Sequence, residues 1–420
     1  MVTRFTHQHQ KFHKDSFPAM DEIYHIIGDD LWKLPESSSV DVIQATEFWL
    51  HHETNKVKAT TRKIEPIHRE AWLNERKRGT GPTAESLLVR IVWVVASTET
   101  ISLSTSAQTV LFKRFGLQLA GKYFRTFYSG VAALPRVFKP EFDQRAYAFC
   151  YGPKIGATWS HSIFKGSSAG ECITECLIFS RAPPKREKES TEHSTPDKDE
   201  LKELQRFLEK VPWNAEICRS SAFPAYLFSL ILSRDISETQ AKIVKSIRTI
   251  ESLTGFHEYA NRKDGIDDNE QSLVDWSGEC SGHAAKLASA TRKAQVLRKL
   301  LEFITKTVDE DAKFQSGLVP PSGDEDSGPN GGSLLKANVE LLQNRLDMQQ
   351  IEVEHTLKRA EIQIEAVSSL LYSLLGILNI ILTDLCSYFR SSRSATPSTP
   401  IRWRSGQRTF HGRASGMLRR

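Results

Sequence analysis

A chain of 420 residues with 39 % apolar and 25 % charged side chains has room for two or three domains and a sizeable core. Its formal charge of +5 is a property of the tail: residues 385–420 hold eight Arg, no Lys and no acid, which leaves the preceding chain at −3. That balance excludes a uniformly basic nucleic-acid surface, and six scattered cysteines exclude a disulfide framework.

Residues 1–15 are polar and His-rich with no apolar h-region, so no secretory signal is expected and the body should face the cytosol. The first eighty residues read as irregular α/β. LLVRIVWVVA (87–96) is a β-branched apolar run that predicts a buried strand. Thr105-x-x-Gln108 has capping-box spacing, and the helix it opens should stop near Gly116; a second helix is expected over 119–127. YAFCYGPKIGATWSHSIF (147–164) should break at Gly152-Pro153 and again at Gly156, giving strands that form hairpins with a further strand over 171–180. Residues 181–200 are charged, contain Pro and read as a flexible linker.

Helical periodicity then takes over. An amphipathic helix is expected over 201–211. Another should be capped by Ser237, carry Ile243, Ile247 and Ile250 on one face, and end at Gly255. Residues 284–308 repeat Leu287, Ala290, Ala294, Leu297, Leu301, Ile304 and Val308 at steps of three and four. The stretch 309–333, with its PPSGDEDSGPNGG, reads as a disordered loop. From Leu335 a single apolar stripe runs through Val339, Leu342, Leu346, Val353, Leu357, Ala360, Ile364, Val367, Leu371, Leu374 and Leu378. As one helix this is a rod of about 70 Å. Joined to the preceding helix by the loop, it should fold back as an antiparallel pair. Leu342, Leu346, Val353, Leu357 and Ile364 form a seam expected to associate with other copies.

The far end of the stripe differs from its start. Residues 366–383 contain no charge, the lower limit for a spanning helix. Leu370, Leu371, Leu374, Leu375, Ile377, Leu378, Ile380 and Ile381 make it apolar on every side, which favours lipid or a fully buried core. Ser368, Ser369, Ser373, Gly376, Asn379 and Asp384 count against a span. So does the Arg-rich tail, which a single span would place outside, contrary to the positive-inside tendency. Membrane entry, peripheral attachment and a buried helix stay open on these residues alone.

Chemistry-bearing motifs are weak. Gly166-Ser167-Ser168-Ala169-Gly170 has nucleophile-elbow spacing, but strand character follows it where an elbow needs a helix, so a hairpin turn fits better. Cys172 and Cys176, on one face of a strand, read as core thiols rather than zinc ligands. Gly79-Thr80-Gly81-Pro82 lacks the Lys of a phosphate loop. His51-His52-Glu53, placed on a helix, would point in different directions. Asp264, Asp267, Asp268 and Glu270 lack the form of a calcium loop and read as a solvated face. No catalytic constellation, resident cofactor or metal ligand emerges, and the chain is expected not to be an enzyme.

RIVWVV (90–95), FGL (115–117), YGPKIGATWS (151–160), IESLTGFHEY (250–259) and LLQNRLDMQQIEVEHTLKRAEIQIEAVSSLL (341–371) together resemble the CorA-like cation transporter superfamily, in particular divergent fungal CorA-like domain proteins. The resemblance implies a cytosolic α/β domain, a stalk helix leading to a membrane, and a magnesium-type divalent cation as the transported species. It also implies homo-oligomers or association with related CorA-like subunits. The family's Gly-Met-Asn pore motif is missing, Gly416-Met417-Leu418 being followed by Arg, so the pore is expected to be degenerate or truncated and the role to be regulatory.

The expected fold class is α+β: a cytosolic mixed α/β domain followed by long antiparallel helices and a C-terminal stalk helix that enters or approaches a membrane. The expected boundaries are an α/β domain over 1–235, a helical segment over 236–308, a loop over 309–333, the stalk over 334–389 and an Arg-rich disordered tail over 390–420. The expected localisation is membrane-associated with a cytosolic N-terminal region, and no nucleic-acid partner is expected. The rival reading is a cytoplasmic helical interaction or regulatory protein without transport activity.

Overall fold

The computed structural model describes residues 42–96, 103–123, 129–151, 155–165, 171–181, 200–254, 270–318 and 332–393. Among these, nine strands form one mixed sheet: β1 (Ile43–His51), β2 (Lys56–Ile64), β3 (Lys77–Arg78), β4 (Glu85–Ala96), β5 (Ser129–Ala133), β6 (Val137–Phe138), β7 (Phe142–Tyr151), β8 (Ile155–Phe164) and β9 (Cys172–Arg181). The main order is β2-β1-β4-β9-β8-β7-β5, with β3 on β4 and β6 on β7. Only the β4–β9 pairing is parallel. The near-continuous apolar run of β4 suits that central position, where both faces are covered. A register shift between Phe48 and Trp49 leaves Leu88 without a partner on β1, so Leu88 and Val89 both reach the same cluster.

Helices cover both faces. Short α1 (Arg69–Asn74), α2 (Thr105–Arg114) and α3 (Gln118–Tyr123) lie over one, burying Trp72, Leu111, Phe115 and Leu117 with Val92, Val94 and Phe179. Over the other lie α4 (Glu200–Lys210), α5 (Ala215–Arg219) and residues of three long helices, α6 (Phe223–Thr254), α7 (Glu270–Leu318) and α8 (Gly332–Arg393). Phe48, Phe149 and Trp159 meet Phe223, Phe228 and Phe303 there in edge-on and stacked contacts. The fold class is therefore α+β, as the change of periodicity indicates.

Local chemistry explains several boundaries, and some differ from the sequence reading. The cap of α2 is Ser104, whose Oγ accepts from Ala107 N at 3.2 Å; Thr105 is the first helical residue, and Gln108 donates to Leu103 O at 2.9 Å. Gly116, at φ +67°, ends that helix as expected. Gly156 does not break the chain: it pairs with Cys150 and Phe179 inside β8, where the ladders on both sides hold it extended. His51 and His52 lie at the end of β1 and in the following turn, not on a helix. His51 Nδ1 is 2.9 Å from Glu85 Oε1, and His52 Nε2 is 2.6 Å from Ser86 Oγ.

The helical boundaries move furthest. Ser237 caps nothing: α6 begins at Phe223, runs through residue 235, and the Ser237 hydroxyl donates back to Ser233 O at 3.1 Å. Likewise α7 continues past Val308 to Leu318, so 309–318 is helix rather than loop. Asp309, Glu310 and Asp311, read as loop charges, are held by Lys336, Arg145 and Arg136. The expected breaks at Gly152-Pro153, the turn holding Ser168, the linker, the acid run 264–268, most of the 319–333 stretch and the tail from 394 lie outside the described residues.

The chain divides into two compact units. One comprises the sheet, its helices up to Arg248, and Gly282–Ala360. Within it α7 runs antiparallel to α8: Asp309 pairs with Lys336 and, further back, Arg298 pairs with Asp347 at 2.7 Å. Ile243, Ile247, Leu287, Val353 and Ala360 close the three-helix layer. The other unit comprises Thr249–Ser281 and the chain from Glu361; in it Thr254 Oγ1 donates to Gln363 Oε1 at 2.8 Å, both groups being buried.

Candidate functional site

Two features of the described residues invite a functional reading: a row of charges inside the sheet and the free end of α8. The row arises from register. Glu47 of β1 lies opposite Arg90 of β4, Arg90 beside Glu175 of β9, and Glu175 opposite Ser160 of β8. All four are buried on the face covered by α1. Arg90 Nε donates to Glu47 Oε1 at 3.1 Å and Nη1 to Glu175 Oε1 at 3.3 Å. Its remaining donors reach backbone carbonyls at the C-terminal end of α1: Leu73 O at 3.3 Å, and Trp72 O and Glu75 O at 2.8 Å each. The guanidinium thus pairs with two carboxylates and caps a helix at its negative end. Glu47 also accepts from Trp72 Nε1 at 2.7 Å and is 2.9 Å from Arg62 Nη2.

Burial pushes the Glu175 carboxyl up, against the pull of Arg90, Arg76 and Arg114. Glu75, at the rim, is held down at about 2, chiefly by its hydrogen bond from Arg78 and then by Arg62. Each guanidinium nitrogen of Arg90 already has an internal acceptor, which makes it a structural clamp of α1 onto the sheet. A second polar group ties α7 to the sheet edge: Arg145 to Glu310 at 2.5 Å, Arg136 to Asp311 at 3.0 Å, and Ser221 to Asp311. Nearby His161 is held at about 4 by burial, its Nδ1 2.9 Å from Thr174 Oγ1, so the ring is neutral at pH 7.

The free end of α8 is different in kind. Leu335, Val339 and Leu346 are buried among Leu297, Leu301 and Ile304 of α7, and Val353 and Leu357 lie with Ile247 and Leu287. Leu342 is half-buried in the same layer, and Ile364, Leu370 and Leu371 are half-buried. Beyond them cover ends. Tyr372 is 76 % exposed, Leu375, Ile377, Leu378, Ile380, Ile381, Leu382 and Leu385 are each about half exposed, and Tyr388 is 71 % exposed. The backbone of Leu374 lies on the same helix. Leaving seven Leu and Ile side chains half in water forgoes about 5–10 kcal/mol of burial. Among the described residues this is the one helix long and apolar enough to cross a membrane.

No family model matches the chain, and no curated protein matches it. Among solved structures it is similar to that of the full-length CmaX protein, a CorA-like protein, at 12 % identity and a TM-score of 0.41. The likeness covers 87 % of this chain and 89 % of that one. It concerns the fold at most and assigns no residue and no activity.

The structure separates the sequence-predicted residues into two groups. Leu342, Leu346, Val353 and Leu357, read as a seam for other copies, are taken up by α6 and α7 of the same chain. The segment 375–382, left open between lipid and core, is not in the core. Cys172 and Cys176 do lie on one strand face; burial raises both thiols, Cys172 to about 11, and Cys172 Sγ is 3.5 Å from Arg219 O. All six cysteines are free, and among the described residues no three His, Cys, Asp or Glu side chains gather as a metal site. The charged row escaped the sequence reading, although each member shows as a lone charge in an apolar strand: ATEFWL, LLVRIVWV and CITECLIF.

Proposed function

We propose that this chain is a membrane-attached CorA-like domain protein, its α/β body carried on a helical arm whose apolar end enters lipid. The observation that carries the reading is the exposure of Leu375, Ile377, Leu378, Ile380, Ile381 and Leu382 around the whole circumference of α8. A helix packed on one neighbour would hide one side; exposure on all sides calls for a solvent that is itself apolar. The sequence resemblance relates the chain to magnesium-type cation transport. One helix encloses no pore, so any conduction needs further copies or related CorA-like subunits. With the expected seam occupied internally, such association would use the outward side of α8, where Leu341, Met348 and Ile351 are exposed.

Internal use of the seam favours a second reading, a self-contained soluble regulatory protein, because it gives the long helices a role without any membrane. Carbonate extraction of membranes, with protease protection of an epitope placed after Arg420, separates the two. Retention in the pellet with a defined tail orientation supports attachment, and complete release into the supernatant refutes it.

A further inference from the structure

The uncharged run counted from sequence, 366–383, overstates what α8 can offer to lipid. Its start is committed to the fold: Ala366 and Val367 are buried, Leu370 and Leu371 are half-buried, and one turn earlier Gln363 is buried and bonded to Thr254. Free surface begins at Tyr372. From there to Thr383, the last residue before Asp384, the helix rises about 18 Å, and from Tyr372 to Tyr388 about 25 Å. Tyr372 is strongly exposed and stands at the start of the uncharged section, where an amphipathic ring favours a headgroup boundary; Tyr388, also exposed, lies beyond Asp384 on the polar side. Arg390 follows one turn-half later on the same helix. Tilt would shorten the reach further.

Resting on the membrane-attached reading above, we infer that the free end of α8 is fitted to a thin bilayer, with a hydrocarbon layer of about 18 Å rather than the common 30 Å. A thicker layer would either draw Asp384 and the following Arg into hydrocarbon or pull residues 366–371 out of the fold. Both are unfavourable, so the chain should sort toward thin or locally thinned membrane.

The test mixes the full-length protein with phosphatidylcholine vesicles of fourteen-, eighteen- or twenty-two-carbon chains and measures co-flotation. The floated fraction is expected to fall as the chains lengthen, with partition differing roughly tenfold between the extremes. Equal partition, or preference for the longest chains, overturns the thin-bilayer fit and leaves attachment intact; no flotation with any vesicle overturns attachment and this inference together. Four leucines inserted after Leu378 lengthen the free run by about 6 Å. Because Leu375 to Leu382 are exposed among the described residues, thermal unfolding should be unchanged while the preference moves to eighteen-carbon vesicles. An insertion chain that keeps the original ranking also overturns the inference.

Discussion

Arg90 donates to Glu47 across neighbouring strands at 3.1 Å, both side chains fully shielded from water, and the same guanidinium holds three carbonyls at the end of α1. A single planar cation therefore links side chains of β1, β4 and β9 and fixes the seat of a helix. Removing it would leave Glu47 and Glu175 buried without their shared partner. Arg90→Met should cost about 3–5 kcal/mol, seen as a lower urea midpoint. Arg90→Lys should recover little, because an ammonium cannot reach five acceptors in a plane. A midpoint unchanged in Arg90→Met would show that the row is not a clamp.

The rim of the same network sets an acid limit. Glu75 has a folded-state pKa of about 2, below the unfolded value near 4.5, so its pairing with Arg78 and Arg62 contributes stability that is full above about 4.5 and fades as pH falls toward 2. Glu75→Gln should flatten the loss of thermal stability in that window and change little at pH 7 beyond a constant offset. Parallel curves for the two proteins would exclude Glu75 as a contributor.

Leu346 is 1 % exposed within a single chain. Leu346→Ala should lower stability by about 2–5 kcal/mol, and the shift should not depend on protein concentration, because the cavity opens inside one molecule. A shift that vanishes on dilution would return Leu346 to a seam between copies.

Leu378 provides the opposite case, half exposed on the free end. Leu378→Asp should abolish co-flotation with vesicles while leaving the melting temperature within about a degree, since surface changes away from packed features cost little. Loss of folding would mean the free end is packed after all.

Gly116 stands at φ +67° with Gln144 directly against its open side, and Gln144 Nε2 closes the helix by donating to Phe115 O at 3.2 Å. Gly116→Ala should destabilise by about 1–2 kcal/mol through both backbone strain and displacement of that side chain. Circular dichroism melts provide the measurement, and an unchanged melt would show that the loop relaxes freely.

Periodicity by itself determined the broad plan: the buried strand at β4, the apolar face of α7 from Leu287 to Val308, and one continuous helix along the stripe, expected over 334–389 and found over Gly332–Arg393, so that 390–393 are helix rather than tail. Such patterns are local, because side-chain spacing along one element fixes which face must leave water. Helix ends were less legible where tertiary partners override local signals. Ser237 looks like a cap but lies mid-helix, since Gln349 and Arg345 of α8 satisfy its hydroxyl. Asp309, Glu310 and Asp311 look like a solvated loop until Lys336, Arg145 and Arg136 arrive from elsewhere in the chain.

An apolar stripe states that something must cover it but not what. Only the tertiary structure decided that Leu346 and Val353 are covered by the chain's own α6 and α7, while Leu375 to Leu382 are left bare. It also joined Glu47, Arg90 and Glu175, lone charges in three separate strands, into one paired row. The reason is the same in both cases: burial and charge pairing depend on neighbours distant in sequence, and strand register and helix packing choose those neighbours.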